Sequence, residues 1–309
     1  MKRGKEVFMA SKQSNEMTAF FTSIMQRVLA QSDIKIMRDI LEGMHLAAAE
    51  LEDVTYAEVN EGGVRALWCI PKKCKDDRVL LYGHGGGTVF FSMHTDRKAA
   101  GHLAKAAGVR ALIVDFGLSP ENKFPAQNQD IERAYRWLLV QGFRPEHIVA
   151  TGQSVGGNLA VSLAINLRNK GETLPAAILA VCPWFDTELK NKTIETNAKT
   201  DKVLSRPVLE LFRTSWLDGT DIAWNDPRVN MLYADLRGLP PIQVYYGEYE
   251  VFAGESIEFA TRAEAAGVET SLRSLPEGQH NFVWGAGRVP EVDQAVQEMG
   301  QWLRSKLGL

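Results

Sequence analysis

The stretch Gly152-Gln153-Ser154-Val155-Gly156-Gly157 constrains this 309-residue chain more than any other. The apolar run His147-Ile148-Val149-Ala150-Thr151 precedes it, and the helix-like Asn158-Leu159-Ala160-Val161-Ser162-Leu163-Ala164 follows. Strand, G-x-S-x-G, helix is the order that holds a serine on a sharp elbow with its hydroxyl exposed. Side chains at 152 and 156 would block so tight a reversal, and both positions are glycine. The same letters also fit a glycine-rich turn whose serine merely caps the helix. The matching flanks favour a nucleophile.

Apolar periodicity supplies the scaffold around that turn. Within residues 13–49, Phe20, Phe21, Ile24, Met25, Val28 and Leu29 fall at helical spacing. After Ser32-Asp33 as a cap, Ile36, Met37, Ile40, Leu41 and Met44 do the same. Val54–Val59 and Val64–Ile70 alternate as strands around Glu61-Gly62-Gly63, which predicts a hairpin. Further strands are expected at 78–82, 110–115, 147–151, 176–182, 241–246 and 270–275, with helices at 95–107, 127–140, 251–266 and 291–307. Eight strands, the later ones alternating with helices, imply an α/β fold with a mostly parallel sheet wrapped on both faces. Residues 185–230 show no strand and interrupt this alternation. The expected organisation is therefore N-terminal helices over 1–49, a core over 50–184 and 231–309, and an insertion over 185–230. Two amphipathic helices ahead of any strand must cover something apolar, whether a pocket, the core or a second subunit.

Bulk properties exclude several functions. With 35 basic and 38 acidic residues, a net charge of −3 and no basic tract, no nucleic-acid partner is expected. Cys69, Cys74 and Cys182 are odd in number and lack C-x-x-C spacing, so neither a disulfide framework nor a zinc site is expected, and a reducing, cytoplasmic setting fits. No metal or organic cofactor is implied. No run approaches the roughly 18 apolar residues of a membrane span. Behind the basic start Met1-Lys2-Arg3-Gly4-Lys5 only Val7-Phe8-Met9-Ala10 is apolar, too short for an export signal.

In such a sheet, ligands bind beyond the carboxyl ends of the strands. One strand end delivers Ser154, and another delivers His84-Gly85-Gly86-Gly87. Later ones deliver Gly247-Glu248-Tyr249-Glu250 and Glu277-Gly278-Gln279-His280. Serine, carboxylate and histidine thus follow one another at intervals of 96 and 30 residues, the chain order of α/β-hydrolases rather than of chymotrypsin-like or subtilisin-like chains. A serine hydroxyl needs an imidazole to take its proton, and the imidazole needs a carboxylate to fix its tautomer. Backbone N–H groups must then meet the oxyanion, and consecutive glycines expose such groups. Glu250 could instead cap the helix that follows, and Glu248 is its rival as the acid.

On these residues the chain resembles the hormone-sensitive-lipase branch of the α/β-hydrolases, the bacterial family IV carboxylesterases. The match rests on His84-Gly85-Gly86-Gly87, on the serine turn, and on Asp115-Phe116-Gly117-Leu118-Ser119-Pro120-Glu121 between them. H-G-G-G about 70 residues before G-x-S-x-G-G is far more specific than either motif alone. The resemblance covers about residues 50–309, and the N-terminal helices are similar to that family's cap. It implies an α/β-hydrolase fold with a helical cap and a catalytic set of Ser154, Glu250 and His280. Gly86, Gly87 and Val155 would donate to the oxyanion, with His84 and Gly85 supporting the loop. The chain departs from the family pattern at Phe116 and Gly117 (usually tyrosine and arginine), at Thr88 (usually aromatic), at Val155 (usually alanine) and in having glutamate as the acid.

The function expected is a serine carboxylesterase cleaving short- to medium-chain acyl esters through an acyl-enzyme. Lactone hydrolase, amidase or transacylase chemistry with the same residues stays open. A hydrolase-fold receptor that only binds a small molecule is the reading from another class. Phe90, Phe91, Trp184, Phe185 and Trp216 are candidates for the substrate pocket as well as for plain core. His45, His94, His102 and His147 read as structural, and Asp130 and Glu132 as a solvated helix face. An edge strand near 270–275 with the last helix could form a homodimer.

Overall fold

The computed structural model describes residues 10–309; Met1–Met9, which carry the basic start, lie outside the described residues. Eight strands form one sheet: β1 (Val54–Glu61), β2 (Val64–Pro71), β3 (Lys75–Gly83), β4 (Val109–Val114), β5 (Ile148–Gln153), β6 (Ala177–Val181), β7 (Ile242–Gly247) and β8 (Thr270–Leu275). Their spatial order is β1-β2-β4-β3-β5-β6-β7-β8. β2 is antiparallel to both β1 and β4, and every other pairing is parallel. Gly62 and Gly63 close the β1–β2 hairpin with φ of 60° and 76°, the backbone that a two-residue type I′ turn demands.

Nine helices accompany the sheet among the described residues: α1 (Lys12–Leu29), α2 (Ile34–Glu42), α3 (Met93–Ala107), α4 (Ala126–Val140), α5 (Val155–Asn169), α6 (Thr193–Thr196), α7 (Arg206–Leu217), α8 (Ala253–Ala265) and α9 (Pro290–Lys306). The chain leaves β3 outward through α3 to β4, then returns past β3 through α4 to β5. Right-handed crossovers therefore put α3 and α4 on opposite faces. α3 packs on α9, β2 and β4, while α4 packs on α5, which lies along β3, β5 and β6. Covered on both sides, β5 and β6 are buried at every position, which is why β6 reads as an unbroken apolar run and β5 opens with one over Ile148–Ala150. β8, at the sheet's edge, is mostly half-exposed.

The strand order reverses between β3 and β5, and a ligand crevice belongs at that reversal. β3 ends at Gly83, directly before His84, and β5 runs into the serine turn. The segment between β6 and β7 holds α6 and α7 and no strand.

Several element ends differ from the sequence expectation. α3 begins at Met93 because the Ser92 hydroxyl accepts the N–H groups of His94 and Thr95, with Thr95 reaching back to the Ser92 N–H. α5 begins at Val155, three residues before the apolar pattern, because Gly156 and Gly157 carry no periodic signal. α8 begins at Ala253 rather than 251, since Val251 and Phe252 belong to the turn that carries Glu250.

Candidate active site

Ser154 sits between β5 and α5 with φ 56° and ψ −123°, a backbone that costs a non-glycine residue about 1–3 kcal/mol. Its surroundings hold it there. The Ser154 N–H donates to the Val181 carbonyl at 3.0 Å, and its own carbonyl accepts from Gly157 at 3.0 Å and Trp184 at 3.1 Å. A Cβ at Gly156 would lie 2.0 Å from the Gly83 carbonyl oxygen, and one at Gly152 would lie 2.4 Å from the same atom. Backbone thus packs on backbone where the turn meets the end of β3.

His280 lies past β8, fully buried, with Nδ1 at 2.6 Å from Glu250 Oε2. Glu250 Oε1 accepts the Gly247 N–H at 3.1 Å. The structure therefore brings Glu250 to His280. Glu248 is exposed, and its carboxylate accepts from the Ser274 hydroxyl at 2.9 Å instead. Burial pushes His280 down to about 3, leaving a neutral imidazole. Burial, followed by the neighbouring Asp201 carboxylate, pushes Glu250 well above the usual carboxylate range.

Ser154 and His280 line one cavity, together with Gly86 and Asn281. No hydrogen bond within 3.5 Å joins Ser154 to His280; resting sites often hold this pair apart until substrate binds.

The loop after β3 winds tightly above Ser154. Gly86 and Gly87 have φ of 94° and 60°. A Cβ at Gly86 would stand 2.1 Å from the Phe90 carbonyl oxygen, and one at Gly87 would stand 2.1 Å from the Phe212 ring. The Gly86 carbonyl accepts from Val89 and Phe90, both at 2.9 Å. The N–H groups of Gly86 and Gly87 donate to no protein atom among the described residues. The N–H of Val155, first residue of α5, is one of the unpaired donors of a helix start. His84 stacks on Phe116 with ring centres 3.9 Å apart, and its Nδ1 lies 2.9 Å from the Gly85 carbonyl oxygen. Burial lowers His84 to about 4, so it stays neutral.

The cavity measures about 630 Å³ out to its mouth and is almost wholly apolar. Met25 and Val28 of α1 with Met37 and Leu41 of α2 make one wall; Val203, Leu204, Val208 and Phe212 make another; Phe90 and Phe91 flank the glycine loop. Trp184, Phe185 and Trp216, expected as pocket candidates, do not line it. Trp184 Nε1 is satisfied by the Asp186 carbonyl, Trp216 Nε1 by Gln127 Oε1 at 3.0 Å, and Phe185 stacks on Phe259. Closeness to a strand end placed them in the core behind Phe212 rather than at the cavity surface.

Comparison with known proteins agrees with this geometry. A family model described as alpha/beta hydrolase fold matches residues 80–284. A crystal structure of an esterase from the bacterial hormone-sensitive lipase family superposes with a TM-score of 0.92 at 34% identity, covering 97% of this chain and 100% of that one. The chain is an α/β-hydrolase of the hormone-sensitive-lipase type. It is also 32% identical over 269 residues to an esterase of Acinetobacter venetianus, covering 87% of this chain and 88% of that protein. An acetyl-hydrolase of Streptomyces hygroscopicus matches at 30% over 298 residues, 91% of this chain and 99% of the relative. The hydrolase acts on ester bonds; the first of these relatives is named an esterase and the second an acetyl-hydrolase.

Three features of the hydrolase were not legible in its sequence. Arg38 of α2 donates from Nε to the Val89 carbonyl at 2.8 Å and from Nη2 to the Ser119 carbonyl at 2.7 Å. It also pairs with both Glu121 oxygens at 2.8 Å, tying the N-terminal helices to the oxyanion loop. On an amphipathic helix such an arginine reads as solvated. The usable signal was Glu121 left in Ser-Pro-Glu with glycine at 117, the departure from the family pattern noted in the sequence.

Second, residues 197–202 stitch the acid and base loops together. Asn197 Nδ2 donates to the Glu250 carbonyl at 2.9 Å, Asp201 Oδ2 accepts the Val251 N–H at 2.9 Å, and Gln279 Oε1 accepts the Lys202 N–H at 2.8 Å. Third, Asp130 is not simply solvated: its Oδ2 accepts the Gly117 N–H at 2.9 Å, a bond any residue at 117 could make. Glu132 pairs at the surface with Arg136 and Lys170.

Among the described residues one group has metal-ligand chemistry: Cys182, Glu250 and His280, whose ligand atoms lie within 4.8 Å of one another. There the Nδ1 of His280 is already engaged by Glu250, and burial pushes the Cys182 thiol well up, against the thiolate a metal needs. No helix among the described residues is long and apolar enough to cross a membrane.

Proposed function

We propose that the hydrolase cleaves short- to medium-chain acyl esters with Ser154 as nucleophile, His280 as general base and Glu250 as its carboxylate partner. The observation carrying this is the 2.6 Å contact of buried Glu250 with Nδ1 of His280, which lines the same cavity as Ser154. Accepting from Nδ1–H, Glu250 leaves Nε2 as the basic nitrogen. Ser154 Oγ attacks the ester carbonyl carbon while Nε2 takes its proton. The tetrahedral oxyanion meets the N–H groups of Gly86, Gly87 and Val155. The C–O bond to the alcohol breaks as His280 returns the proton to it, leaving an acyl-enzyme. Water, deprotonated by the same nitrogen, attacks that ester, and collapse frees the acid and restores Ser154.

Residues 1–49 and 185–230 act together as the cap, since α1, α2 and the 203–212 stretch supply the apolar walls. An almost wholly apolar pocket, open at its mouth, suits an uncharged acyl chain, and we assign it a modest one. Unpaired on its outer side among the described residues, β8 offers an edge for a homodimer. Three free cysteines, two of them buried, fit a cytoplasmic setting.

Profiling p-nitrophenyl esters from C2 to C16 tests the reading. Turnover is expected to peak at or below about C8 and to fall by several orders of magnitude in Ser154→Ala. Equal turnover by wild type and Ser154→Ala would remove the nucleophile assignment, and a peak at C16 would remove the chain-length assignment.

A further inference from the structure

Asp96 belongs to the first turn of α3, has no exposed surface and takes no part in the chemistry described so far. Its Oδ2 accepts the N–H of Gly85 at 3.1 Å. Its Oδ1 accepts Nε1–H of Trp284 at 2.8 Å. Gly85 immediately precedes the oxyanion glycines, and Trp284 lies four residues after His280. A single carboxylate thus grips the loop of the oxyanion hole with one oxygen and the loop of the base with the other. Packing alone does not call for an acid here, because a buried carboxylate is expensive to keep unless its lone pairs are used. The Phe91 and Trp284 rings meet edge to face with centres 4.9 Å apart, so the two loops also touch directly above it.

Gly85 has the freest route to misalignment. With no side chain to anchor it, Gly85 is held by two bonds: Asp96 takes its N–H, and His84 Nδ1 lies 2.9 Å from its carbonyl oxygen, on the next peptide, which carries the Gly86 N–H. We infer that Asp96 is a positioning residue for the oxyanion hole: by fixing the Gly85 N–H it aims the Gly86 and Gly87 amides. The inference rests on Gly86 and Gly87 forming the hole.

The test is Asp96→Asn in the full-length protein. Asparagine keeps the volume but has one acceptor oxygen, so one of the two donors then faces an NH₂ group. Kinetics with p-nitrophenyl butyrate should show kcat falling about 10- to 100-fold, short of the 10²–10³ for losing a hole donor outright, with KM within about threefold. Affinity for a trifluoromethyl ketone, which forms an oxyanion on Ser154, should fall by the same factor as kcat/KM. Trp284→Phe removes the other donor and leaves the Gly85 bond, so its kcat should stay within about threefold of wild type.

An Asp96→Asn enzyme with wild-type kcat and ketone affinity would overturn the inference. A Trp284→Phe enzyme as impaired as Asp96→Asn would also overturn it, making Asp96 part of the packing alone. If Asp96→Asn fails to fold, a loss of kcat beyond about tenfold in Trp284→Phe overturns the inference by itself. Ketone affinity lost in Gly86→Ala but kept in Asp96→Asn rejects Asp96 and leaves the hole standing; affinity kept in both rejects the hole itself.

Discussion

Replacing Glu250 with glutamine tests the arrangement at its most exacting point. The carboxylate has two neighbours that both donate: Gly247 N–H at 3.1 Å from Oε1, and His280 Nδ1 at 2.6 Å from Oε2. Glutamine has one oxygen and one NH₂ of nearly the same shape. The Gly247 N–H cannot change its character, whereas the imidazole can shift its proton. The amide oxygen therefore turns to Gly247 and its NH₂ faces Nδ1, which becomes the acceptor. The proton moves to Nε2, the nitrogen required as a base. A tautomer locked the wrong way lowers turnover by about 10⁴-fold, about 5 kcal/mol of barrier. Stopped-flow and steady-state hydrolysis of p-nitrophenyl butyrate measure it, with circular dichroism to show that the fold persists. Glu248→Gln is the internal control: exposed and bonded to Ser274, it should keep kcat within about threefold. Retention of more than a tenth of wild-type kcat by Glu250→Gln, or a large loss in Glu248→Gln, would refute the reasoning.

Three further outcomes follow from the geometry. Neutral His280 is the active form and is lost as pH falls through its pKa, which burial pushes down to about 3; kcat/KM should therefore hold below the ordinary histidine value near 6.5, and half-loss at or above that pH would contradict the burial argument. Gly86→Ala drives a methyl to within 2.1 Å of the Phe90 carbonyl oxygen and should lower kcat about 10²-fold or more while Ser154 still reacts with a fluorophosphonate, measured by kinetics and mass spectrometry. Arg38→Ala breaks the bonds to Val89, Ser119 and Glu121 and should destabilise the protein by about 1–3 kcal/mol in urea unfolding, since its side chain is only 19% exposed; no shift in midpoint would mean that the N-terminal helices are held by apolar contact alone.

Much of the fold was legible because burial leaves an unambiguous trace. β6, covered on both faces, reads as a continuous apolar run and β5 opens with Ile148-Val149-Ala150, and β8 was placed at 270–275 residue for residue. Glycine obscured the rest: Gly156 and Gly157 hid the first turn of α5 because they are there for closeness, not periodicity. The chain order serine, glutamate, histidine was readable, but the choice between Glu250 and Glu248 was not. Two residues apart on a turn, they differ only in which way the turn points them. Phe90 and Phe91 line the cavity as expected, whereas Trp184, Phe185 and Trp216 do not. Val208, Leu211 and Phe212 turn one face of α7 to the cavity, while Trp216, further along the helix, ends on Gln127. Asp96 and Arg38 act across the fold, on partners that no local pattern names.

The two apolar walls of the cavity come from helices outside the sheet, one near the start of the chain and one from between β6 and β7. Neither wall is held in register by a strand, whereas Ser154, Glu250 and His280 all hang from strand ends. What the enzyme accepts and how it reacts are thus encoded in separable stretches of the gene. New tastes can be tried at Met25, Val28, Met37, Leu41, Val208 or Leu211, while Arg38 and Phe212, which packs on Gly87, mark where that independence stops.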